Sequence, residues 1–206
     1  MEVADRQLDI MGYTDHSVRH ASIVSKRIAD ILRTTGCPQR EIELGQIAGF
    51  LHDIGNSVNR EEHPQSGALL AYQVLTKKGM DVEEAAQIMT AIGNHDEQTG
   101  KPVSNITAAL IISDKSDVHR SRVRHMDRKL VEMLDIHDRV NYGVIDNTLA
   151  VDTEKKEIFF ALDVDEEISS MMDYFDIFLE RMRMCKSAAR FLKYEFRMSV
   201  NGHRLV

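Results

Sequence analysis

Histidine and aspartate residues recur at or near the ends of the helices that this sequence predicts. The pair His52-Asp53 closes an apolar run that starts at Ile47, and Gly55 is placed to stop that helix. A carboxylate beside an apolar face is buried at low cost only if it is paired or binds a metal. Four further residues complete the pattern: His20, His63, His95 and Asp114.

The residue types in this set suggest which metal they would hold. Neutral imidazoles combined with carboxylates suit a borderline divalent ion such as Fe, Mn, Zn or Co. A site for Mg²⁺ or Ca²⁺ would be richer in oxygen ligands. Any one of these histidines alone is more simply explained as a surface or hydrogen-bonded side chain. Their occurrence together, each near a helix end, favours a shared metal site.

The first predicted helix, at residues 15–35, carries two histidines, and the apolar pattern of the helix indicates which of them points toward the core. His16 and His20 lie one turn apart, and His20 continues the apolar stripe formed by Val24, Ile28 and Ile31. His20 is therefore expected to point toward the core at the upper end of that stripe. His16 is expected to reach the site from one turn away.

The elements that must position these residues are mainly helices. The run at 106–112 is apolar on nearly all sides, which predicts a buried central helix. Apolar periodicity and helix start and stop signals predict the full set of helices in the first two thirds of the chain, at residues 15–35, 39–54, 64–79, 81–93, 106–112 and 121–137.

The pattern changes near residue 141. The segments "YGVIDNTLAVD" and "KEIFFALDVD" are rich in β-formers and are separated by "TEKK", which predicts a hairpin. A long helix is expected over 166–194, followed by a short strand or hairpin with Asn201-Gly202 as its turn. The residues expected on one face of that helix are Met171, Met172, Phe175, Phe178, Leu179 and Met182.

These elements predict a mainly α fold. Residues 1–140 form an all-helical metal-binding bundle of five or six helices. Residues 141–206 form a small α+β appendage, a β-hairpin plus a long helix, packed on that bundle. The apolar face of the long helix would also suit a homodimer interface.

Composition limits the classes of partner. The chain has 206 residues and a formal net charge of −7, which argues against general nucleic-acid binding. Its two cysteines are far apart and suggest a reducing, cytoplasmic location. The N-terminal segment lacks the apolar stretch of a signal peptide. No window approaches 18 uninterrupted apolar residues, so no membrane span is expected.

The order His20, His52-Asp53, Asp114 resembles the HD-domain superfamily of metal-dependent phosphohydrolases, over about residues 13–130. The segment "HSVRHASIV" resembles the first motif of that superfamily, in which the ligand histidine precedes an apolar residue by four positions. This match selects His20 over His16. "LHDIG" matches the His-Asp doublet of the superfamily, here His52-Asp53. "IISDKSD" resembles its last motif, with Asp114 as the ligand.

Two further segments resemble a subgroup with a second metal position. "HPQSGALLA" and "IGNHDEQTGKP" would add His63 and His95. This pattern is similar to HD phosphodiesterases, diadenosine tetraphosphate hydrolases and mixed-valent di-iron oxygenases. Two departures are visible. Asn56 stands where many members have lysine, and "EQTGKP" lacks the Gly-Tyr-Pro signature of cyclic-di-GMP phosphodiesterases.

The resemblance implies the chemistry of a phosphohydrolase. His52 and Asp53 would be central to catalysis, and Asp53 would be shared by two divalent ions. Fe or Mn is favoured, with Zn, Co, Ni or Mg as alternatives. The expected partner is a small phosphorylated molecule such as a nucleotide.

The segment after Asp114 is the most basic in an acidic chain and supplies candidates for phosphate contact. Asp96 and Glu97 are candidate supporting or proton-transfer groups. The complete set of candidate substrate contacts, including two from the first helix, is His16, Arg19, Lys115, His119, Arg120, Arg122 and Arg124.

Two other classes of function remain open at this point. The same six ligands could hold a di-iron pair that activates oxygen, which would make the protein an oxygenase. The domain could also be a non-catalytic metal-binding sensor or interaction module, a role that the C-terminal hairpin and helix would suit. The complete ligand set argues against the non-catalytic module, because a binding relic has no need to retain all of it, and the hydrolase is the leading hypothesis.

Overall fold

The computed structural model describes residues 2–11, 13–123 and 136–205. Helices dominate the first part of the chain and a four-stranded sheet lies near its end. The α-helices are α1 (Glu2–Ile10), α2 (Val18–Thr34), α3 (Gln39–Leu51), α4 (His63–Lys77), α5 (Val82–Gly93), α6 (Asn105–Lys115), α7 (Ile136–Gly143) and α8 (Met171–Phe191). Short 3₁₀ turns cover Ile54–Ser57 and Arg120–Arg122. The strands are β1 (Val144–Asp152), β2 (Glu157–Val164), β3 (Glu195–Val200) and β4 (His203–Arg204).

The mainly α fold with a small C-terminal sheet confirms the predicted fold class. Helix α6 is the centre of the bundle: all residues from 106 to 113 are buried. It packs against α2, α3 and α5, and α8 covers it from the C-terminal part of the chain. Ser104 begins the helix by accepting a hydrogen bond from the Thr107 amide, which satisfies one of its free N–H groups.

The C-terminal sheet has the strand order β1-β2-β3-β4. Strands β1 and β2 form the predicted antiparallel hairpin. Strand β3 runs parallel to β2, and α8 is the crossover between them. Asn201 and Gly202 both have positive φ angles, 50° and 78°, as a tight hairpin turn into β4 requires. This confirms the predicted turn.

The predicted apolar face of α8 is partly wrong. Met172 and Leu179 are 67% and 42% exposed. The helix instead buries a stripe in which Tyr174, Phe178 and Met182 follow one another at intervals of four residues. At about 100° per residue, positions 172 and 179 lie far around the helix from that stripe. The packing direction on α6, which the sequence alone did not reveal, decides which face is buried.

Other boundaries also differ. Helix α3 ends at Leu51, so the doublet His52-Asp53 follows the helix instead of lying within it. The predicted helix at 121–137 falls largely on residues 124–135, which lie outside the described residues. The boundary between a bundle and an appendage at residues 140 and 141 stays a prediction, and the buried residues on both sides of it belong to one hydrophobic cluster. Within the described ranges, no helix has the length and hydropathy needed to cross a bilayer.

Candidate metal centre

The ends of five helices bring the predicted ligands together. His20 lies in the first turn of α2, Asp114 lies in the last turn of α6, and the other four residues flank α3, α4 and α5. All are strongly buried, the most exposed being the Asp114 side chain at 12%. Candidate ligand atoms within 4.8 Å of one another form two groups that share His52: His20, His52 and Asp114, and His52, Asp53 and His95.

The carboxylate of Asp53 faces two sides of the cluster. Its Oδ2 lies 3.3 Å from His52 Nε2 and 3.8 Å from His20 Nε2. Its Oδ1 lies 3.5 Å from His63 Nε2. On the far side of His52, Asp114 Oδ1 lies 3.3 Å from His20 Nε2. A carboxylate has two oxygens and can contact two ions, which an imidazole offering only Nε2 cannot do.

Hydrogen bonds fix the tautomers of the histidines. In three of them, Nδ1 lies within 3.0 Å of the main-chain carbonyl three residues earlier: His52, His63 and His95. A carbonyl can only accept, so Nδ1 carries the proton and Nε2 keeps its lone pair. His16 is held in the same way by the carbonyl of Thr14, at 2.7 Å. The four Nε2 atoms are thereby prepared as ligands.

His20 is held by a side chain that the sequence analysis did not single out. Its Nδ1 lies 2.6 Å from Oδ2 of Asp117, which is 2% exposed. A carboxylate that accepts from the far nitrogen of a ligand histidine orients the ring and increases its basicity. The signal was present in "SDKSD", where Asp117 follows Asp114 by three residues. Packing of α2 on α6 was needed to show which histidine it serves.

The donor set fits a divalent cation. Asp53 Oδ2 is buried and has no hydrogen-bond partner among the described residues. The Nε2 atoms of His20 and His52 are only 3.3 Å apart, so two lone pairs would repel unless a proton or cation lies between them. Both observations indicate that a positive charge is required here.

The electrostatics agree with this interpretation. Burial alone would lower the pKa of His52, but the carboxylates of Asp53 and Asp114 outweigh burial and raise that pKa to about 10. Burial, together with His52 and Lys115, lowers the pKa of His95 to about 3 and keeps its imidazole neutral. Burial would raise the pKa of Asp53, yet His52 and His16 hold it well below its usual range. Asp53 and His95 are thus held in the forms that bind metals, and the raised pKa of His52 shows that the two carboxylates favour a positive charge at this point, which a metal would supply in place of the proton.

The doublet is connected to the start of α4 by a close backbone contact. A Cβ atom at Gly55 would lie 1.9 Å from the carbonyl oxygen of His63 and 2.6 Å from the amide nitrogen of Gly67. Only glycine leaves room for this approach. The contact presses the first turn of α4 against the turn that follows Asp53 and so places His63 beside the cluster.

A cavity of about 780 Å³ opens beside the cluster. Three of the predicted substrate contacts line it: His16, Lys115 and Arg122. His16 Nε2 is 4.0 Å from Asp53 Oδ2, and Lys115 Nζ is 2.9 Å from Asp114 Oδ2. The guanidinium of Arg122 is already used in hydrogen bonds within the protein. It donates to the main-chain carbonyls of Asp15 and Asp117 and so holds the 3₁₀ turn against the segment that precedes α2.

Three other predicted contacts do not line the cavity. Arg19 lies one residue before His20, about 100° around α2, and pairs with Asp15 at the surface. After α6 the chain turns away, so the His119 ring lies 2.9 Å from the carbonyl of Ile145 and Arg120 lies over the Tyr142 ring. Arg124 is outside the described residues.

The predicted supporting residues Asp96 and Glu97 both line the cavity. Asp96 accepts a hydrogen bond from the Gln98 amide and shapes the loop after α5. Glu97 pairs with Lys115 at 2.6 Å. Two further cationic side chains line the cavity and were not predicted from the sequence. Arg60 lies within 3.5 Å of His63 Nε2, and Arg181 comes from α8, with no local signal linking it to the site.

Asp117 provides a test of how the cluster is supported. Changing Asp117 to Asn is expected to weaken metal binding by about 10- to 100-fold, because the His20 ring loses a charged partner that orients it. Competition with a chelator of known affinity measures the change. The exposed strand residue Asp163 supplies the control Asp163→Asn. Unchanged affinity in Asp117→Asn would show that the His20 ring needs no such support.

Two comparisons relate this chain to known proteins. The sequence model of the HD domain matches residues 13–141. Uncharacterized protein MJ1020 of Methanocaldococcus jannaschii is 30% identical over 136 residues, in an alignment that covers 55% of this chain and 52% of that protein. The chain thus spans about half the length of this relative. The part of the chain after residue 141, including α8, lies outside the family match.

Proposed function

This chain belongs to the HD-domain family, and on that premise we propose that it is a metal-dependent phosphohydrolase acting on a phosphoester or phosphoanhydride bond of a nucleotide. The observation that carries the proposal is the convergence of four histidines and two aspartates on one buried centre beside an open cavity. Neutral Nε2 atoms and an unpartnered Asp53 oxygen are what a divalent cation requires.

The residues divide into two sets of ligands. His20, His52, Asp53 and Asp114 would hold one ion. His63 and His95 would hold a second, with Asp53 shared, since its two oxygens face both sides. When bound, such ions acidify a water molecule and neutralise charge on the phosphoryl group under attack.

The side chains around the centre would bind and orient the phosphate. Lys115 is buried beside Asp114, and Arg60 lies beside His63, so a cation flanks each end of the ligand cluster. Both can donate hydrogen bonds to phosphate oxygens. The cavity volume of about 780 Å³ lies in the range of small-molecule sites and would admit a nucleotide.

The test combines metal analysis and hydrolysis on the same sample. Gently purified protein is analysed for Fe, Mn, Zn, Co, Ni and Mg, then incubated with nucleoside monophosphates, triphosphates, cyclic nucleotides and dinucleoside polyphosphates. The proposal expects phosphate or nucleotide release that a chelator abolishes and metal restores. Metal-loaded protein that releases nothing across this set would overturn the proposal. Oxygen consumption by the iron-loaded protein would then support the oxygenase alternative, and the absence of both activities would support the sensor.

A further inference from the structure

Helix α8 contributes a guanidinium to the cavity from outside the segment that matches the HD domain. Arg181 lines the cavity together with residues of the segment that matches the HD domain. Its Cζ lies 4.7 Å from the centroid of the Phe178 ring, and its Nε donates to Glu97 Oε1 at 2.9 Å. Stacking on one face and a charged hydrogen bond at one edge fix the plane of the guanidinium.

A series of ion pairs connects this arginine to the candidate metal centre. Asp114 Oδ2 lies 2.9 Å from Lys115 Nζ, and Lys115 Nζ lies 2.6 Å from Glu97 Oε2. Arg181 holds the other oxygen of Glu97. Lys115 and Arg181 therefore each contact one oxygen of the Glu97 carboxylate, and these direct, partly buried ion pairs position the guanidinium relative to Asp114.

The outer edge of the guanidinium makes no hydrogen bond within the described part of the chain. Among the described residues, neither Nη atom of Arg181 has a hydrogen-bond partner, although the side chain is only 25% exposed. A bound metal would also change the charge balance. If Asp114 serves a metal, Glu97 is the remaining carboxylate that contacts both Lys115 and Arg181, and Asp96 acts on Lys115 from farther away. Arg181 then shares its carboxylate partner with a second cation, so its outer edge is suited to an anion.

We propose that Arg181 binds a phosphate group of the substrate through its two Nη atoms, beside Lys115. The planar fork of an arginine matches two oxygens of a phosphate, which a lysine cannot do. The C-terminal helix thus supplies a substrate-binding residue, with Glu97 as the residue that positions it. This inference rests on the proposed function, because it assigns the anion-binding part of the same site.

The experiment measures binding of inorganic phosphate to the metal-loaded full-length protein by calorimetry, together with its bound metal. In Arg181→Gln, phosphate affinity is expected to fall about 10- to 100-fold, the worth of a charged hydrogen-bonded contact, with metal content unchanged. Arg181→Lys keeps the charge but lacks the fork and is expected to be intermediate. Arg183→Ala, on the exposed side of the same helix, is the matched control and is expected to bind phosphate as the original protein does.

Two results would overturn the inference: phosphate affinity unchanged in Arg181→Gln, or affinity in Arg181→Lys equal to that of the original protein. If Arg181→Gln does not fold, the lysine variant alone decides. With a substrate in hand, the loss is expected mainly in KM, whereas a merely structural ion pair would leave the KM of the folded variant unchanged. Failure of the proposed function is separable, since Arg181-dependent phosphate binding without any hydrolysis would refute only the hydrolase.

Discussion

Replacing Asp53 with asparagine is expected to remove both metals and to lower turnover by about three orders of magnitude or more. Asp53 is the proposed ligand whose two oxygens face both halves of the cluster. Its amide replacement has no charge and only one oxygen to offer. The measurement is metal per chain by elemental analysis, with the rate on the best substrate found.

A second measurement separates loss of metal from loss of fold. Metal at about 100 times its dissociation constant stabilises the native state by about 2.7 kcal/mol, which corresponds to about 5–10 °C in Tm for a chain of this size. Asp53→Asn is expected to retain a cooperative transition but to lose this metal-induced rise. The control is Asp30→Asn, at an exposed position on α2. A variant that keeps its metal and its rate would show that Asp53 is not a ligand.

Replacing His95 with alanine is expected to lower the bound metal from about two ions per chain toward one and to reduce turnover strongly. Its Nε2 is kept free by the Nδ1 contact with a main-chain carbonyl, and its neutral form is favoured at all ordinary pH values. Loss of one ion removes one of the two positive charges that would orient the phosphate and neutralise its charge during attack. His63→Ala is expected to behave in the same way.

The control for the histidine variants is His203→Ala, which removes an exposed imidazole on β4. It tests for metal bound adventitiously at the surface, so its metal content and rate are expected to match those of the original protein. If His63→Ala retained its full metal content and rate, the dinuclear arrangement would be wrong. The site would then hold one ion on His20, His52, Asp53 and Asp114.

The sequence predicted the cluster because its members lie at or near helix ends, and helix ends can be recognised from the residues around them. His20 follows from the stripe that continues through Val24, and α6 was recognised as central because its apolar run leaves no polar face. Residues whose role depends on how two distant elements pack were missed. Arg181 is 67 positions beyond Asp114, and nothing near it in the sequence indicates that it lines the same cavity.

In the basic segment after Asp114, the sequence predicted more cavity contacts than the structure shows. Its charges predicted a phosphate-binding surface, yet a run of cations does not indicate which way each side chain turns. In the described part of that segment, Lys115 faces the cavity, whereas His119 contacts β1 and Arg120 lies over Tyr142. The chain forms a 3₁₀ turn at 120–122, where the sequence predicts the start of a helix, and the charged side chains there point in other directions than a helix predicts.

The close approach at Gly55 has a consequence for the loop of residues 58–62. Since Gly55 contacts both His63 and Gly67 directly, the position of His63 is set by two backbones in contact and not by the length of the chain that joins them. Extra residues inserted ahead of Arg60, whose carbonyl accepts from His63 Nδ1, would leave that contact in place and cost mainly closure entropy, about 0.6 kcal/mol for each doubling of the loop length. The stretch before Arg60 is therefore the place where a reporter peptide could be inserted near the candidate metal centre without displacing His63.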